Sequence, residues 1–136
     1  MSALFVDSSV LLLAVGGDHP SREPCRQVVA AASQGRHTLH ASVEAGQEFL
    51  FHRMRRVSAR AAVGETRLLR RLVVWHPFDE QVLEASIGLV AQHGLRGRDA
   101  VHAATALSAG FTGIVSTDAD FEGIPSLERV DPGRVP

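Results

Sequence analysis

The chain predicts an α/β fold, a mainly parallel sheet of four or five strands covered by helices on both faces as a three-layer α/β/α sandwich. Three observations carry this. The run ALFV at 3 to 6 is continuously apolar, as a strand buried on both faces must be. Runs of that kind alternate along the chain with longer segments of helical composition, joined by short links. At 136 residues with 45% apolar content, the chain has the length of one ordinary domain and can bury a substantial core, so a single domain over 1–136 is expected.

After the ALFV strand, VLLLAV (10 to 15) continues as the first turns of a helix, until GGDHPS breaks the pattern. Ser21 is placed to N-cap the next helix, with Pro24 tolerated in its first turn. Val28, Val29 and Ala32 form its apolar face and QGR ends it. TLHAS (38 to 42) reads as a second short strand. Val43 to Arg56 is helical in composition, and Ser58 to Leu72 is a further helix with Ala62, Leu69 and Leu72 at helical spacing. VVWHPF (73 to 78) is a strand stopped by Pro77, which puts Trp75 on a buried strand. DEQVLEASIGLVAQHG (79 to 94) begins with acids and ends with glycine, as the helix dipole and C-cap favour. RDAVHAATALSAG (98 to 110) repeats that design, GIVST (113 to 117) is a strand, and LERV (127 to 130) is a last edge strand.

Composition narrows the function classes. The formal charge is −1, so no polyanion-binding tail is present, yet all 14 basic residues are arginine and none is lysine. Arginine suits bidentate phosphate contacts, although a compositional bias against lysine would leave the same mark. A lone cysteine, Cys25, cannot form an internal disulfide, and no charged leader with an apolar core opens the chain, so a cytoplasmic location is expected. No apolar run approaches the roughly 18 to 20 residues of a membrane span.

The informative residues are acids. Asp7 follows the first strand and Asp118 follows GIVST, so in a parallel sheet both lie at carboxyl ends, on the edge where ligands of such sheets bind. Asp120 is two residues further along the same loop, Asp99 opens the RDAVHAATAL helix, and Glu48 lies between Gln47 and Phe49 in the VEAGQEFL helix. Ordinary structural roles exist for most of them: a helix-start charge for Asp99, an N-cap or Asx turn for Asp118, a solvated helix face for Glu48. Asp7 resists such an account, because a carboxylate between Val6 and VLLLAV is costly unless hydrogen-bonded or matched by a cation. Acids that met here would repel and raise one another's pKa values. With no lysine to answer them, the counter-charge must be arginine or a metal. An all-oxygen cluster suits magnesium or manganese rather than zinc. The seven histidines are scattered without HxxxH or HExxH spacing, and His52 and His102 read as helix-surface or core residues rather than ligands.

FVDSSVLLLAV, a helix carrying QEF after a strand, GRDAVHAATAL and IVSTDADF resemble, in order and spacing over nearly the whole chain, the motifs of PIN-domain nucleases. The likeness is strongest to the small VapC-type toxins of toxin–antitoxin pairs. It implies that Asp7, Glu48, Asp99 and Asp118 hold Mg2+ or Mn2+, with Asp120 as an accessory acid and Ser9 and Ser116 as supporting hydroxyls. Glu44 lies one helical turn before Glu48 and could share its face. Arg53, Arg55, Arg56, Arg96 and Arg98 are the candidates to steer an RNA backbone, each with an alternative account as a solvated surface charge. The implied activity is endoribonuclease cleavage of a cellular RNA by metal-activated water. Implied partners are a small antitoxin and a second copy of the chain.

Other classes place aspartates at strand ends. A haloacid-dehalogenase-like phosphatase needs a second aspartate where this chain has Ser9, and both it and a response-regulator receiver use a lysine that this chain lacks. A housekeeping PIN nuclease of RNA maturation, and a non-catalytic PIN-like module that keeps its acids for partner arginines, stand as alternatives.

Overall fold

The structure, a computed structural model, describes residues 2–136. Five strands run parallel: β1 (Ser2–Phe5), β2 (His37–Ser42), β3 (Val73–His76), β4 (Gly113–Val115) and β5 (Glu128–Val130). β1, β2 and β3 form one ladder in that order, and β4 pairs with β5 in another. The two meet where Val6, just after β1, bridges in parallel to Val115, which sets β1 beside β4. The strand order is therefore β3-β2-β1-β4-β5. Between the strands lie α1 (Ser8–Val15), α2 (Arg22–Ser33), α3 (Val43–Met54), α4 (Ala59–Leu72), α5 (Glu80–His93) and α6 (Gly97–Ser108).

Two apolar clusters show why the sheet needs cover on both sides. Successive strand residues point to opposite faces. Val6, Leu39, Ala41 and Val115 join Val10, Leu11, Cys25, Val28 and Phe49 from α1, α2 and α3 in one cluster. Their neighbours Phe5 and Ile114 join Val82, Leu89, Ala103 and Phe121 in the other, beneath α5 and α6. On that second side α6 presents Ala100, Ala103, Ala104 and Ala106, all fully buried, small residues that let a helix backbone come close to its neighbours.

Each expected segment is present, with ends shifted for local reasons. The fourth strand stops at Val115 rather than Thr117 because the Ser116 hydroxyl turns to Asp7 and to the Asp118 backbone. α3 ends at Met54, since Arg56 and Val57 both donate to the Arg53 carbonyl in a tight turn. Ser21 occupies the N-cap of α2 but caps nothing with its side chain; its ψ of 0° is not the extended geometry a capping hydroxyl needs. The buried face of that helix is Cys25, Val28, Ala31 and Ala32, with Val29 at its margin. Trp75 is half-buried: its indole N–H donates to the Arg70 carbonyl at 3.1 Å, and its ring lies where a Cβ at Gly46 would come within 3.1 Å. Gly94 closes α5 in the left-handed region at φ 66°, which glycine adopts without strain.

Leu39 is fully buried in the middle of the sheet, whereas Leu68 on α4 is 68% exposed. Leu39→Ala is expected to cost about 2–5 kcal/mol in urea unfolding at unchanged slope, and Leu68→Ala to stay within about 0.5 kcal/mol of wild type. Equal midpoint shifts for the two would contradict this placement of the core.

Candidate functional site

Sequence neighbours leave β1 and β4 in opposite directions along the sheet: β2 flanks β1 on one side and β5 flanks β4 on the other. That reversal opens a crevice beyond the carboxyl ends of the two central strands, and Asp7 and Asp118 stand there.

Asp7 N-caps α1 and is 4% exposed. One carboxylate oxygen, Oδ1, accepts from the Ser9 N–H (3.1 Å), the Ser9 hydroxyl (2.6 Å) and the Val10 N–H (3.4 Å). The other, Oδ2, accepts from the Ser116 hydroxyl at 2.6 Å. Thr117 extends the network by donating to Ser9 Oγ at 3.1 Å. Burial pushes the Asp7 carboxyl upward, and the hydroxyls of Ser116 and Ser9, with the nearby His102 ring, oppose that only in part. All four hydrogen-bond donors are neutral, so the anion is solvated without being neutralised.

Asp99, Asp118 and Asp120 offer carboxylate oxygens that lie within 4.8 Å of one another. Asp99 occupies the first turn of α6, where aligned peptide dipoles favour an anion. Asp118 caps the short helix Ala119–Phe121 by accepting from the Asp120 N–H at 2.9 Å, which holds the second acid beside the first. Burial, then the charges of Asp118 and Asp120, raise the Asp99 carboxyl to about 6, against a smaller opposing effect of His102. Three acids this close hold a hard cation readily and tolerate one another poorly without it. Asp7 adds to their field without belonging to the trio.

Glu48 is buried at 8% exposure and is spoken for. Its Oε1 lies 2.6 Å from His102 Nε2, and Oε2 lies 3.5 Å from both the Ser8 hydroxyl and Arg98 Nη1. Burial alone would raise its pKa, but the hydrogen bond to His102, with the electrostatic influence of that ring and of Arg98, outweighs burial and brings it below the usual value. Glu44 is exposed. His102 is a core residue, 2% exposed, and His52 is on the surface. The link from Ser42 through His102 to Glu48 was not read from the sequence. Its only trace there is the spacing of His102 three residues after Asp99, which shares a helix face with it.

Among the arginines, Arg53 binds Glu65 through Nε and Nη2 at 2.7 and 3.2 Å, which commits it to joining α3 to α4 rather than to a phosphate. Arg55 and Arg56 are exposed and, with His52, Leu12 and Gly16, line a groove of about 1090 Å³. The groove runs along the half of α1 remote from Asp7, beginning at Leu12, roughly 8 Å of helix away. Arg96 and Arg98 are exposed beside Asp99.

Residues 4–127 match the family model described as the PIN domain. The chain is 36% identical over 132 residues to Ribonuclease VapC7 of Mycobacterium tuberculosis, covering 95% of this chain and 91% of that protein. Its fold is similar to that of a toxin–antitoxin complex from Klebsiella pneumoniae, with a TM-score of 0.71 and 19% identity over 95% of this chain and 97% of that one. It is likewise similar to VapC20 of Mycobacterium tuberculosis, a sarcin–ricin loop cleaving toxin, with a TM-score of 0.71 and 20% identity over 87% and 92% of the two chains.

The raised Asp99 carboxyl has a sign that can be measured. Its stabilising proton is fully bound below the unfolded value near 3.9 and is lost as pH rises through about 6. In EDTA, the melting temperature of Asp99→Asn is therefore expected to gain on wild type by a few degrees between pH 5 and pH 7. A difference between the two proteins that stays constant over that interval would contradict the crowding of these acids.

Proposed function

The chain belongs to the PIN-domain family, and on that premise we propose that it is a divalent-metal-dependent endoribonuclease acting as the toxin of a toxin–antitoxin pair. The observation that carries this is the meeting of Asp99, Asp118 and Asp120 beside buried Asp7 at the point where the strand order reverses. We assign Asp7, Glu48, Asp99 and Asp118 to the holding of Mg2+ or Mn2+, directly or through water, on the strength of their all-oxygen donor set. Such an ion, when bound, supplies a water of lowered pKa and neutralises charge developing on a phosphodiester.

The remaining roles fall to the chain itself. Ser9 and Ser116 orient Asp7, which their hydrogen bonds hold in one rotamer. Asp120, the exposed member of the acidic trio, is placed to orient water against a phosphate. Arg96 and Arg98 stand nearest for backbone phosphates, and Arg55 and Arg56 extend a positive lining into the groove; Arg53 serves mainly to brace it. The chain acts as one domain over 1–136. No helix among the described residues is long and apolar enough to cross a membrane.

Relatives that occur as toxin–antitoxin complexes support a small antitoxin as partner. A basic antitoxin side chain could neutralise the acids as a metal does, which would make inhibition a matter of charge matching. A homodimer has an apolar face to use: Leu83, Ile87 and Val90, spaced along one side of α5, are 46%, 52% and 45% exposed.

Three tests follow from this reading. Partner-free protein is expected to cleave structured RNA in Mg2+ or Mn2+ and not in EDTA, and folded Asp7→Asn and Asp99→Asn to lose at least about 100-fold, more than changes outside the ligand sphere cost. Identical products from wild type and variants would assign the cleavage to a contaminant. Expression of the chain alone is expected to arrest growth and co-expression of its partner to restore it; arrest-free expression of active enzyme would favour a housekeeping nuclease. In sedimentation, Ile87→Glu is expected to shift a dimeric wild type toward monomer, and an unchanged dimer would move the interface elsewhere.

A further inference from the structure

We infer that His102 is the positioning residue for Glu48, holding one carboxylate oxygen fixed so that the other is turned to Ser8 and Arg98, the neighbours of Asp7 and Asp99 in the chain, with Ser42 holding the ring in the tautomer this requires. The inference rests on the metal-nuclease reading above. The three residues come from different elements and are all buried: Ser42 at the end of β2 is 0% exposed, His102 on α6 2%, and Glu48 on α3 8%.

The hydrogen bonds can be counted. Ser42 Oγ accepts from the Ala45 N–H at 3.1 Å, the N-cap bond of α3. Its single proton is then free to go to His102 Nδ1, 2.8 Å away. Accepting there leaves the ring proton on Nε2, pointed at Glu48 Oε1 at 2.6 Å, a short bond to a carboxylate acceptor. Every donor finds an acceptor with a neutral ring, so the arrangement does not depend on the charge of His102. The two oxygens of Glu48 then differ sharply. Oε1 is fixed, whereas among the described residues Oε2 meets the Ser8 hydroxyl and Arg98 at 3.5 Å, and the Arg98 side chain is 65% exposed.

One turn of α6 thus carries Asp99 and, three residues later, the ring that aims a second carboxylate. A rigid donor behind a ligand is the usual means of fixing its orientation, and removing one commonly costs 10–100-fold in metal affinity or activity.

The test compares His102→Gln, whose amide reaches toward the Nε2 position, His102→Asn, which reaches only the Nδ1 position, and Ser42→Ala. Titration with Mn2+ by calorimetry is read beside kcat and KM for RNA and beside thermal melts. His102→Asn is expected to lose about 10–100-fold in Mn2+ affinity and in kcat, with KM changed by less than about threefold, and His102→Gln to recover most of the loss. Ring 15N shifts of metal-free wild type are expected to show Nε2 protonated. Folded His102→Asn that matches wild type in Mn2+ affinity and kcat, or a ring with Nε2 unprotonated, overturns the role while leaving the nuclease intact. Wild type that binds no Mn2+ and cuts no RNA overturns the nuclease reading and this role with it. If both histidine variants fail to fold, Ser42→Ala with wild-type affinity and kcat overturns it as well.

Discussion

A carboxylate sealed against the middle of a parallel sheet is the constraint on which this molecule turns. The two ladders of the sheet are joined by the bridge from Val6 to Val115, and Asp7 stands at that seam. Its hydrogen bonds reach α1 through Ser9 and Val10 and the end of β4 through Ser116, while its own N–H donates to the Val115 carbonyl at 3.2 Å. Each hydrogen bond to an ionised group contributes about 1.5–3 kcal/mol net, so the seam is stapled by the residue that also anchors the site. The unneutralised anion is at once a cost to the fold and an attraction for a cation.

α6 is the second determinant. Its run of buried alanines lets the helix come close to the elements beneath it, and that approach brings Asp99 to Asp118 and Asp120 and His102 to Glu48. Larger residues at Ala103 or Ala104 would move the helix outward and separate groups that must lie within a few ångströms. Packing and chemistry are therefore not separable here: the same small side chains that complete one core cluster bring the charges of the site together.

Positive charge is arranged around this centre rather than in it. Of the arginines near the acids, Arg96 and Arg98 are exposed, and Arg98 meets Glu48 only at 3.5 Å, whereas Arg129 is committed to Glu122 and to the Ser116 carbonyl, and Arg53 to Glu65 between helices. An exposed arginine keeps its fork of donors for a phosphate, and a paired one has spent it. With no lysine in the chain and a net charge of −1, attraction of a polyanion must come from such local arrangements and not from the molecule as a whole.

What the sequence alone determined is what depends on period and order. The apolar run ALFV marked the first strand, helical spacing marked the helices around Val28 and Leu69, acids and a closing glycine marked the two later ones, and parallel topology placed Asp7 and Asp118 on one edge. The spacing of acids in recognisable motifs identified the family that the chain's similarity to known proteins confirms. How groups from different elements meet is fixed by the packing of the folded chain. Nothing local to Ser42, Glu48 or His102 marks them as partners, because they are up to 60 residues apart and their contact depends on how α3 and α6 cross the end of β2. The same holds for Arg53, whose neutral-seeming place in a basic stretch hid a bond to Glu65 on the next helix. Side-chain pairing across elements is a property of packing, and packing is not written in any single segment.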